Sequence, residues 1–327
     1  MTWTVALSNL VLGVYGFTLI TGLPANILAF YAFCQKIRKK TTPMDILLLS
    51  LTISDLIFLF FLPFRMVEAA NMEWTLSYSI CLLTGFVYFS TIYNSVLHLT
   101  AISVERYLGV AFPIKYKIKR NPRHAAIAVV FFWVISFVTC SIVYITYYRY
   151  PPEPDFIDPS DRNTCQEEFT VEKVRITETF PQIVFIVLLC ASFLICCFCY
   201  VKFIYILSNL PNMKTQIRTR AIGLALVTLL VFIICFMPFG ISHFVSYSVS
   251  SDSTERNMYV LVPCTLNACL DPFIFYFSSS AFRETFKSVL RELIRRMAML
   301  CCHSASSVCC LKVGQQRREH RDHIPMT

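Results

Sequence analysis

Seven long runs of apolar residues determine what this chain can fold into. A helix needs about 20 apolar residues to cross the hydrocarbon core of a bilayer, and each run reaches that length. The runs cover roughly residues 8–34, 44–70, 78–112, 124–148, 177–208, 216–250 and 256–278. Apolar residues make up 56% of the 327 and charged residues only 15%, whereas a soluble domain carries about 25% charge. The sequence therefore predicts an all-α membrane protein, a seven-transmembrane helix bundle.

Positively charged residues lie in alternate links between the runs. They fill the links after the first and third runs, the link between the fifth and sixth runs, and the start of the tail. The link between the fourth and fifth runs is acidic. Because links rich in Lys and Arg stay on the cytoplasmic side, we expect a multi-pass plasma-membrane protein with its N-terminus outside and its C-terminus in the cytoplasm. This placement also accounts for the net charge of +9, so we expect no nucleic acid partner.

Two cysteines lie on the predicted outer side. Cys81 begins the third run, and Cys165 lies in the long acidic link, whereas most of the 15 cysteines lie inside apolar runs. Outer compartments favour disulfides, and no other cysteine lies in an outer link. We therefore expect Cys81 and Cys165 to pair, which would pin that link over the mouth of the bundle. The sequence permits this pairing without proving it.

The tail divides into two parts. From Ser280 to Leu290, apolar and basic residues alternate at helical spacing, which predicts a short amphipathic eighth helix on the inner leaflet. Cys301 and Cys302 follow, and both S-palmitoylation and free cytosolic thiols are open interpretations. We expect a seven-transmembrane domain over residues 1–300, including the amphipathic helix, and a lipidated, then disordered, tail over residues 301–327.

Five polar residues fall inside four of the apolar runs. A polar group in a membrane helix is costly and needs a partner or a function. Two interpretations stay open: a static hydrogen-bonded network, or a hydrated pocket that holds a cation, with sodium as the expected ion. Beyond this ion we expect no cofactor, because no cysteine pair at zinc spacing occurs. The five residues are Asn26, Asp55, Ser95, Asn267 and Asp271.

Prolines inside three runs predict irregular helices. Pro63, Pro238 and Pro272 lie in the second, sixth and seventh runs. Each removes a helical hydrogen bond and kinks the helix, and neighbouring groups must satisfy the freed carbonyl. We expect the inner halves of the sixth and seventh helices to swing at these points.

Glu105, Arg106 and Tyr107 form an acidic–arginine–aromatic triplet at the inner end of the third run. An arginine at the edge of a bilayer must snorkel, pair or bind something. We predict that Arg106 pairs with Glu105 and leaves it when the bundle changes state.

An ordered set of motif residues runs through the helices. It consists of Asn26, Asp55, Cys81, Glu105, Arg106, Tyr107, Trp133, Tyr200, Pro238, Asp271 and Pro272. In this order the set resembles the rhodopsin-like (class A) G-protein-coupled receptors, over about residues 8–300. The resemblance implies a receptor and not an enzyme, with heterotrimeric G protein and arrestin as partners. Glu105, Arg106, Tyr107 and Tyr200 would then carry G-protein coupling, with Arg106 receiving a helix of the G protein.

Residues 61–71, 105–113, 270–272 and 276–280 indicate a narrower group. They are similar to the short-chain free fatty acid receptors, which bind carboxylates such as acetate, propionate and butyrate and couple to Gi/o, some also to Gq. The resemblance implies a small carboxylate ligand. His243 matches the group's sixth-helix histidine. Arg256 lies near its seventh-helix arginine, although ungapped counting from Asp271 puts Asn257 at that place.

The chain also departs from that group's pattern. The fifth-helix arginine is missing, and counting from Tyr200 puts Pro181 there. Two arginines give a directional, charge-assisted carboxylate site, so this loss could end acetate-like recognition or transfer the role to Arg65 or Arg175. Arg65 is expected to face outward, either as a ligand cation or as a rim cation paired with Glu68. The predicted ligand-binding set is His243, Arg256, Arg65, Phe89, Tyr93 and Glu167.

Two further functions remain open beside this one. Arginine-rich pockets also bind phosphates, so the ligand could be another anion: a lipid, a nucleotide or a peptide. A transporter would need inverted repeats or broken helices near the midplane, and the sequence shows no internal repeat. We expect a heterotrimeric G protein, arrestin, a small carboxylate ligand and membrane lipids as partners.

Overall fold

The computed structural model describes residues 3–119, 121–149, 165, 175–209, 215–242 and 254–304. Seven of its helices are long and apolar enough to cross a membrane, and no strand occurs within the described residues. The predicted all-α, seven-span class is therefore confirmed. The first five spans are Val5–Lys39, Pro43–Asn71, Tyr78–Ala111, Pro122–Arg149 and Arg175–Ser208. A loop helix, Pro113–Lys119, follows the third span.

The sixth and seventh spans are both interrupted. The sixth span consists of Thr215–Val231, a π-helical turn at Phe232–Phe236, and residues 237–242. The π turn ends two residues before Pro238, so the predicted irregularity of this span takes the form of one wide turn. The seventh span consists of Thr254–Thr265 and Asn267–Ser278.

The seventh span breaks at Leu266, six residues before Pro272, which itself lies inside the helix. Because proline has no N–H, the carbonyl of Ala268 has no partner in its own helix. Asn26 of the first span donates its side-chain N–H to this carbonyl at 2.8 Å. A neighbouring span therefore satisfies the group that Pro272 leaves over.

Successive spans run in opposite directions, so the starts of the odd-numbered spans and the ends of the even-numbered spans lie on the same side of the bundle. We call the side that carries Cys81 the disulfide end, and the opposite side the Arg106 end. At the Arg106 end, Thr42 caps the second span by accepting the N–H of Asp45, and its hydroxyl donates to the Asp45 carboxylate at 2.6 Å. Lys36 of the first span is ion-paired with Asp45 at 2.6 Å, so the same carboxylate joins the first two spans.

The chain divides into two units, residues 1–280 and 281–327. The second unit contains most of the tail helix, Ser280–Ser304. This helix is longer than the predicted Ser280–Leu290, and the predicted domain boundary at residue 300 falls inside it. Hydrogen bonds from Arg295 and Arg296 hold the pKa of the exposed Glu292 below its ordinary value. The part of the tail after Ser304 lies outside the described residues.

Candidate ligand and coupling sites

The predicted disulfide is confirmed: Cys81 and Cys165 are bonded. Cys165 has a second attachment, because its backbone N–H donates to the Glu68 carboxylate at 2.8 Å. The other oxygen of that carboxylate accepts a hydrogen bond from Arg65 at 2.7 Å. Cys165 is therefore held covalently by the third span and donates a charge-assisted hydrogen bond to the second. The predicted position of the rest of the link lies outside the described residues.

Arg65 was expected to face outward, and this expectation is wrong. Its side chain is only 5% exposed, and Glu68 is 1% exposed. The guanidinium carbon lies 5.7 Å from the centre of the Tyr88 ring, which favours a cation there. Tyr15 of the first span also lies close enough to interact with Arg65. The partner Glu68, predicted for Arg65 as a rim cation, is confirmed, but the pair is buried between spans.

Only part of the predicted ligand-binding set is described. His243 and Glu167 lie outside the described residues, and for Arg256 only the backbone, in the seventh span, is described. Phe89 of the third span is partly exposed and stacks on Phe239 of the sixth span, with the ring centres 6.2 Å apart. Tyr93 lies one helical turn further along and is buried. The Phe89–Phe239 pair forms an aromatic wall between the third and sixth spans.

The structure brings four of the five predicted intramembrane polar residues together. Asp55, Ser95 and Asn267 line a cavity with about 10 Å³ of free space, enough for about one water-sized particle. Asn267 donates to Asp271 at 3.1 Å, and the Asp55 and Asp271 carboxyl groups are close enough to influence each other electrostatically. Asn26, the fifth residue, instead bonds backbone carbonyls of the first and seventh spans.

The donor atoms around this cavity suit a small hard cation. Within the described part of the chain, one oxygen each of Asp55, Asn267 and Asp271 is buried without a hydrogen-bond partner. Two carboxyl groups this close cannot both be ionised without a counter-charge, so the pair must share a proton or hold a cation. Carboxylate, amide and hydroxyl oxygens are ligands that hard cations prefer.

One buried network was not predicted from the sequence. His98 donates through Nδ1 to the Asn94 carbonyl at 2.8 Å, and its Nε2 lies 2.9 Å from the Ser50 hydroxyl. Trp133 donates to the same hydroxyl at 3.0 Å. Since a carbonyl can only accept, His98 carries its proton on Nδ1, and Nε2 accepts from Ser50. Three spans meet at one serine, and only the polar character of His98 and Ser50 inside apolar runs pointed to it.

Arg106 binds the end of the seventh span. Its guanidinium donates to the carbonyl of Ser278 at 2.7 Å, one of the last carbonyls of a helix, which carry partial negative charge and lack helical partners. Glu105 accepts a hydrogen bond from Tyr116 of the loop helix at 2.5 Å. Glu105 and Arg106 thus each have a hydrogen-bond partner on another element. A pairing of these two residues with each other stays a prediction.

The two tyrosines of the predicted coupling set pack near Arg106. Tyr107 lies edge-to-face against Phe198 of the fifth span, with ring centres 5.8 Å apart. Tyr200 is buried and donates to Thr228 of the sixth span at 3.0 Å. The third, fifth, sixth and seventh spans are therefore joined at this end by contacts that all involve the predicted coupling residues.

Comparison with known proteins gives a consistent result. Residues 25–275 match the family described as 7 transmembrane receptor (rhodopsin family). Free fatty acid receptor 3 of Mus musculus is 41% identical over 283 residues, 86% of this chain and 87% of that protein. Free fatty acid receptor 2 of Mus musculus is 43% identical over 281 residues, 85% of this chain and 84% of that protein. Proteinase-activated receptor 1 of Xenopus laevis is 29% identical over 310 residues, 92% of this chain and 69% of that protein. With seven spans in order and a family match over most of its length, the chain belongs to the rhodopsin family of seven-transmembrane receptors.

Proposed function

We propose that this receptor binds a small carboxylate of the short-chain fatty acid class and responds by activating heterotrimeric G proteins of the Gi/o class, with Gq as a further class. The observation that carries the proposal is the identity of 41–43% to free fatty acid receptors 3 and 2, spread over more than four fifths of each chain. The ligand enters from the disulfide end, which we place outside the cell. Arrestin is proposed as a second cytoplasmic partner.

Charge must supply most of the ligand affinity. A short acid buries few methylene groups, each worth about 0.8 kcal/mol, so a charge-assisted hydrogen bond is needed. Arg65 is engaged with Glu68, and the chain has proline at 181, where an arginine was sought. We therefore assign the carboxylate to His243 and Arg256, with Phe89 and Tyr93 as the apolar wall and Glu167 at the rim.

Ligand binding stabilises a bundle that is open at the Arg106 end, because the ligand has a higher affinity for that state. In the proposed change, Arg106 leaves the Ser278 carbonyl and receives a helix of the G protein. Tyr200 exchanges Thr228 for contacts that hold the open state. Arg218, at the same end of the sixth span, is a cation and cannot form an ionic lock with Arg106, so we expect raised basal signalling that an Arg218→Glu variant lowers.

A sodium ion is proposed as an allosteric ligand of the cavity beside Asp55. The test is the melting temperature of the purified receptor in sodium chloride against N-methyl-D-glucamine chloride at equal ionic strength. Sodium should raise the melting temperature of the wild type, and the Asp55→Asn variant should lose this gain. An equal gain in both proteins would reject the site, because Asp55 supplies the charge.

Acylation of Cys301 and Cys302 is proposed as a membrane attachment of the tail helix. Dual acylation gives far firmer membrane binding than one chain. The check is incorporation of a palmitate probe in cells. Replacing both cysteines by serine should remove most of the label, and unchanged labelling would place the modification elsewhere.

A ligand panel tests the proposed function directly. Cells expressing the receptor and a G-protein dissociation sensor would be given carboxylates of two to six carbons, lysophospholipids, nucleotides and peptides. We expect responses to carboxylates alone. Silence to every carboxylate with a response to another class would retire the fatty acid proposal in favour of a different anionic ligand. The loss of the fifth-helix arginine makes that alternative worth including.

A further inference from the structure

Glu68 makes two charge-assisted contacts at the disulfide end. One carboxylate oxygen accepts the backbone N–H of Cys165 at 2.8 Å, and the other accepts from Arg65 at 2.7 Å. Both charged side chains are almost fully buried. A buried carboxylate with both oxygens engaged in this way is held in one place, so it fixes the position of Cys165 relative to the second span.

Among the described residues, the surroundings of Arg65 leave no room for a second anion beside Glu68. Tyr88 covers the guanidinium with its ring and donates its own hydroxyl to the Leu261 carbonyl at 2.8 Å. The hollow beside Arg65 is lined by Phe58, Phe61, Leu62, Arg65, Thr84 and Tyr88 and has no room for a water molecule. Within the described part of this end, an incoming carboxylate could reach this arginine only by replacing Glu68.

We propose that Glu68 is an internal carboxylate that occupies the anion site of Arg65 and fastens Cys165 to the second span. Glu68 is thus a positioning residue for the disulfide and a specificity residue for the ligand, since it keeps Arg65 from capturing the acids in solution. The role in specificity rests on the proposed carboxylate function. The fastening of Cys165 does not.

The chemistry of the side chain supplies a test. Beyond Cβ, glutamate consists of one methylene and one carboxylate, so a Glu68→Ala change deletes a group equivalent to acetate. The deletion leaves Arg65 buried without its counter-charge, which is strongly unfavourable. Free acetate can fill the space that is left and restore both the charge balance and the acceptor for the Cys165 N–H. Butyrate has two more methylene groups than acetate and should fit poorly.

The experiment compares melting temperatures of three purified full-length receptors: wild type, Glu68→Ala, and Arg65→Met combined with Glu68→Ala. Each is measured in sodium chloride and in sodium acetate at equal ionic strength. We expect Glu68→Ala to melt several degrees below wild type in chloride and to recover at least half of that loss in acetate. Its gain in acetate should exceed the gains of the wild type and the double variant, which contain no uncompensated arginine.

The three-way comparison separates this proposal from the proposed function. Acetate bound at the signalling site would raise the melting temperature of all three proteins by a similar amount. Only the additional gain of Glu68→Ala, beyond that shared amount, indicates acetate bound at Arg65. Equal gains in all three would overturn the internal-carboxylate proposal, even if the receptor signals to acetate. A wild type that is silent to every carboxylate would reject the proposed function while leaving the excess in Glu68→Ala intact.

A second measurement covers the case in which Glu68→Ala is too unstable to purify. The amount of Glu68→Ala at the cell surface should rise in cells grown with added acetate, and the rise should be absent when Arg65→Met is added. Glu68→Gln should show no such rise, because its amide side chain fills the space that acetate would need. A rise that persists with Arg65→Met would also overturn the proposal.

Discussion

At the scale of single residues, Ser50 shows how one small side chain can join three spans. Its hydroxyl accepts from Trp133 of the fourth span and donates to His98 of the third. Ser54, one turn further along the same helix, is equally buried, and within the described residues its hydroxyl has no hydrogen-bond partner. The two serines therefore form a matched pair.

We predict that Ser50→Ala lowers the free energy of unfolding by about 1–3 kcal/mol, because it leaves buried groups of Trp133 and His98 unpaired. Ser54→Ala should change it by less than about 1 kcal/mol, since no hydrogen bond is lost. The measurement is the unfolding of the purified receptor, with both variants compared under the same conditions. Equal losses in the two variants would show that the network adds no stability.

Sequence reasoning at this scale succeeded where chemistry and topology leave few choices. Cys81 and Cys165 were the two cysteines on the predicted outer side, and Asp55 and Asp271 were costly charges that had to meet. Arg65 was misplaced because its distance along the helix says nothing of the direction in which its side chain packs. Burial became possible through Glu68, three residues later and on the same helix face.

At the scale of elements, the first and seventh spans pack closely because Gly22 has no side chain. A Cβ at Gly22 would lie 3.2 Å from the backbone oxygen of Ala268, the same carbonyl that Asn26 binds. This backbone oxygen cannot rotate away from an added Cβ as the end of a flexible side chain can. A Cβ at Gly13, on the same span, would have no atom within 4 Å.

Gly22→Ala should therefore destabilise the receptor by about 1–3 kcal/mol, the usual cost of overpacking. Gly13→Ala should be neutral or stabilising by up to about 1 kcal/mol, since alanine is the better helix former. Thermal unfolding of both variants checks the prediction. A Gly22→Ala protein as stable as Gly13→Ala would mean that the two spans can separate at no cost.

The sixth and seventh spans touch through a second glycine. A Cβ at Gly223 would lie 2.7 Å from the ring of Phe277, the neighbour of the Ser278 carbonyl that holds Arg106. We predict that Gly223→Ala pushes these spans apart and raises ligand-free nucleotide exchange several-fold, and that adding Phe277→Leu reverses the rise. Gly109→Ala, whose Cβ would make an ordinary 3.7 Å contact, is the control. Basal exchange equal to that control would contradict the prediction.

The lengths of the spans could be predicted from the sequence, but their interruptions could not. Apolar length is fixed by bilayer thickness, and all seven spans followed from it. The break at Leu266 and the length of the tail helix depend on which neighbouring groups satisfy the backbone. Asn26, for example, binds the Ala268 carbonyl that Pro272 leaves without a helical partner. This contact allows the seventh span to continue through Pro272.

At the scale of the whole molecule, the chain is a multi-pass plasma-membrane receptor whose two ends carry different chemistry. The disulfide end contains the buried Arg65–Glu68 pair and the aromatic wall of Phe89. The Arg106 end is joined by contacts that the proposed signalling state must break. Family membership was predictable, because motif residues on every span pointed to it together. The charged ligand contacts were less predictable, because Pro181 replaces one expected arginine and ungapped counting puts Asn257, not Arg256, at the place of the other.

The proposed direction of the chain across the membrane can be tested with an epitope tag. A tag before Thr4 should bind antibody on intact cells, and a tag after Thr327 should bind only after permeabilisation. The positive-inside distribution of Lys and Arg is the physical reason. Staining of the C-terminal tag on intact cells would contradict the assignment.

The central claim is that binding of a small carboxylate releases Arg106 to engage a G protein. The most direct measurement is propionate-driven nucleotide exchange on a purified Gi protein, with equal amounts of wild-type, Arg106→Leu and Arg38→Leu receptor. Arg38 is an exposed cation at the same end and serves as the control. We predict that propionate accelerates exchange with wild type and Arg38→Leu, and that Arg106→Leu loses at least about tenfold of this rate, equivalent to about 1.4 kcal/mol. Full propionate-driven exchange with Arg106→Leu would contradict the account.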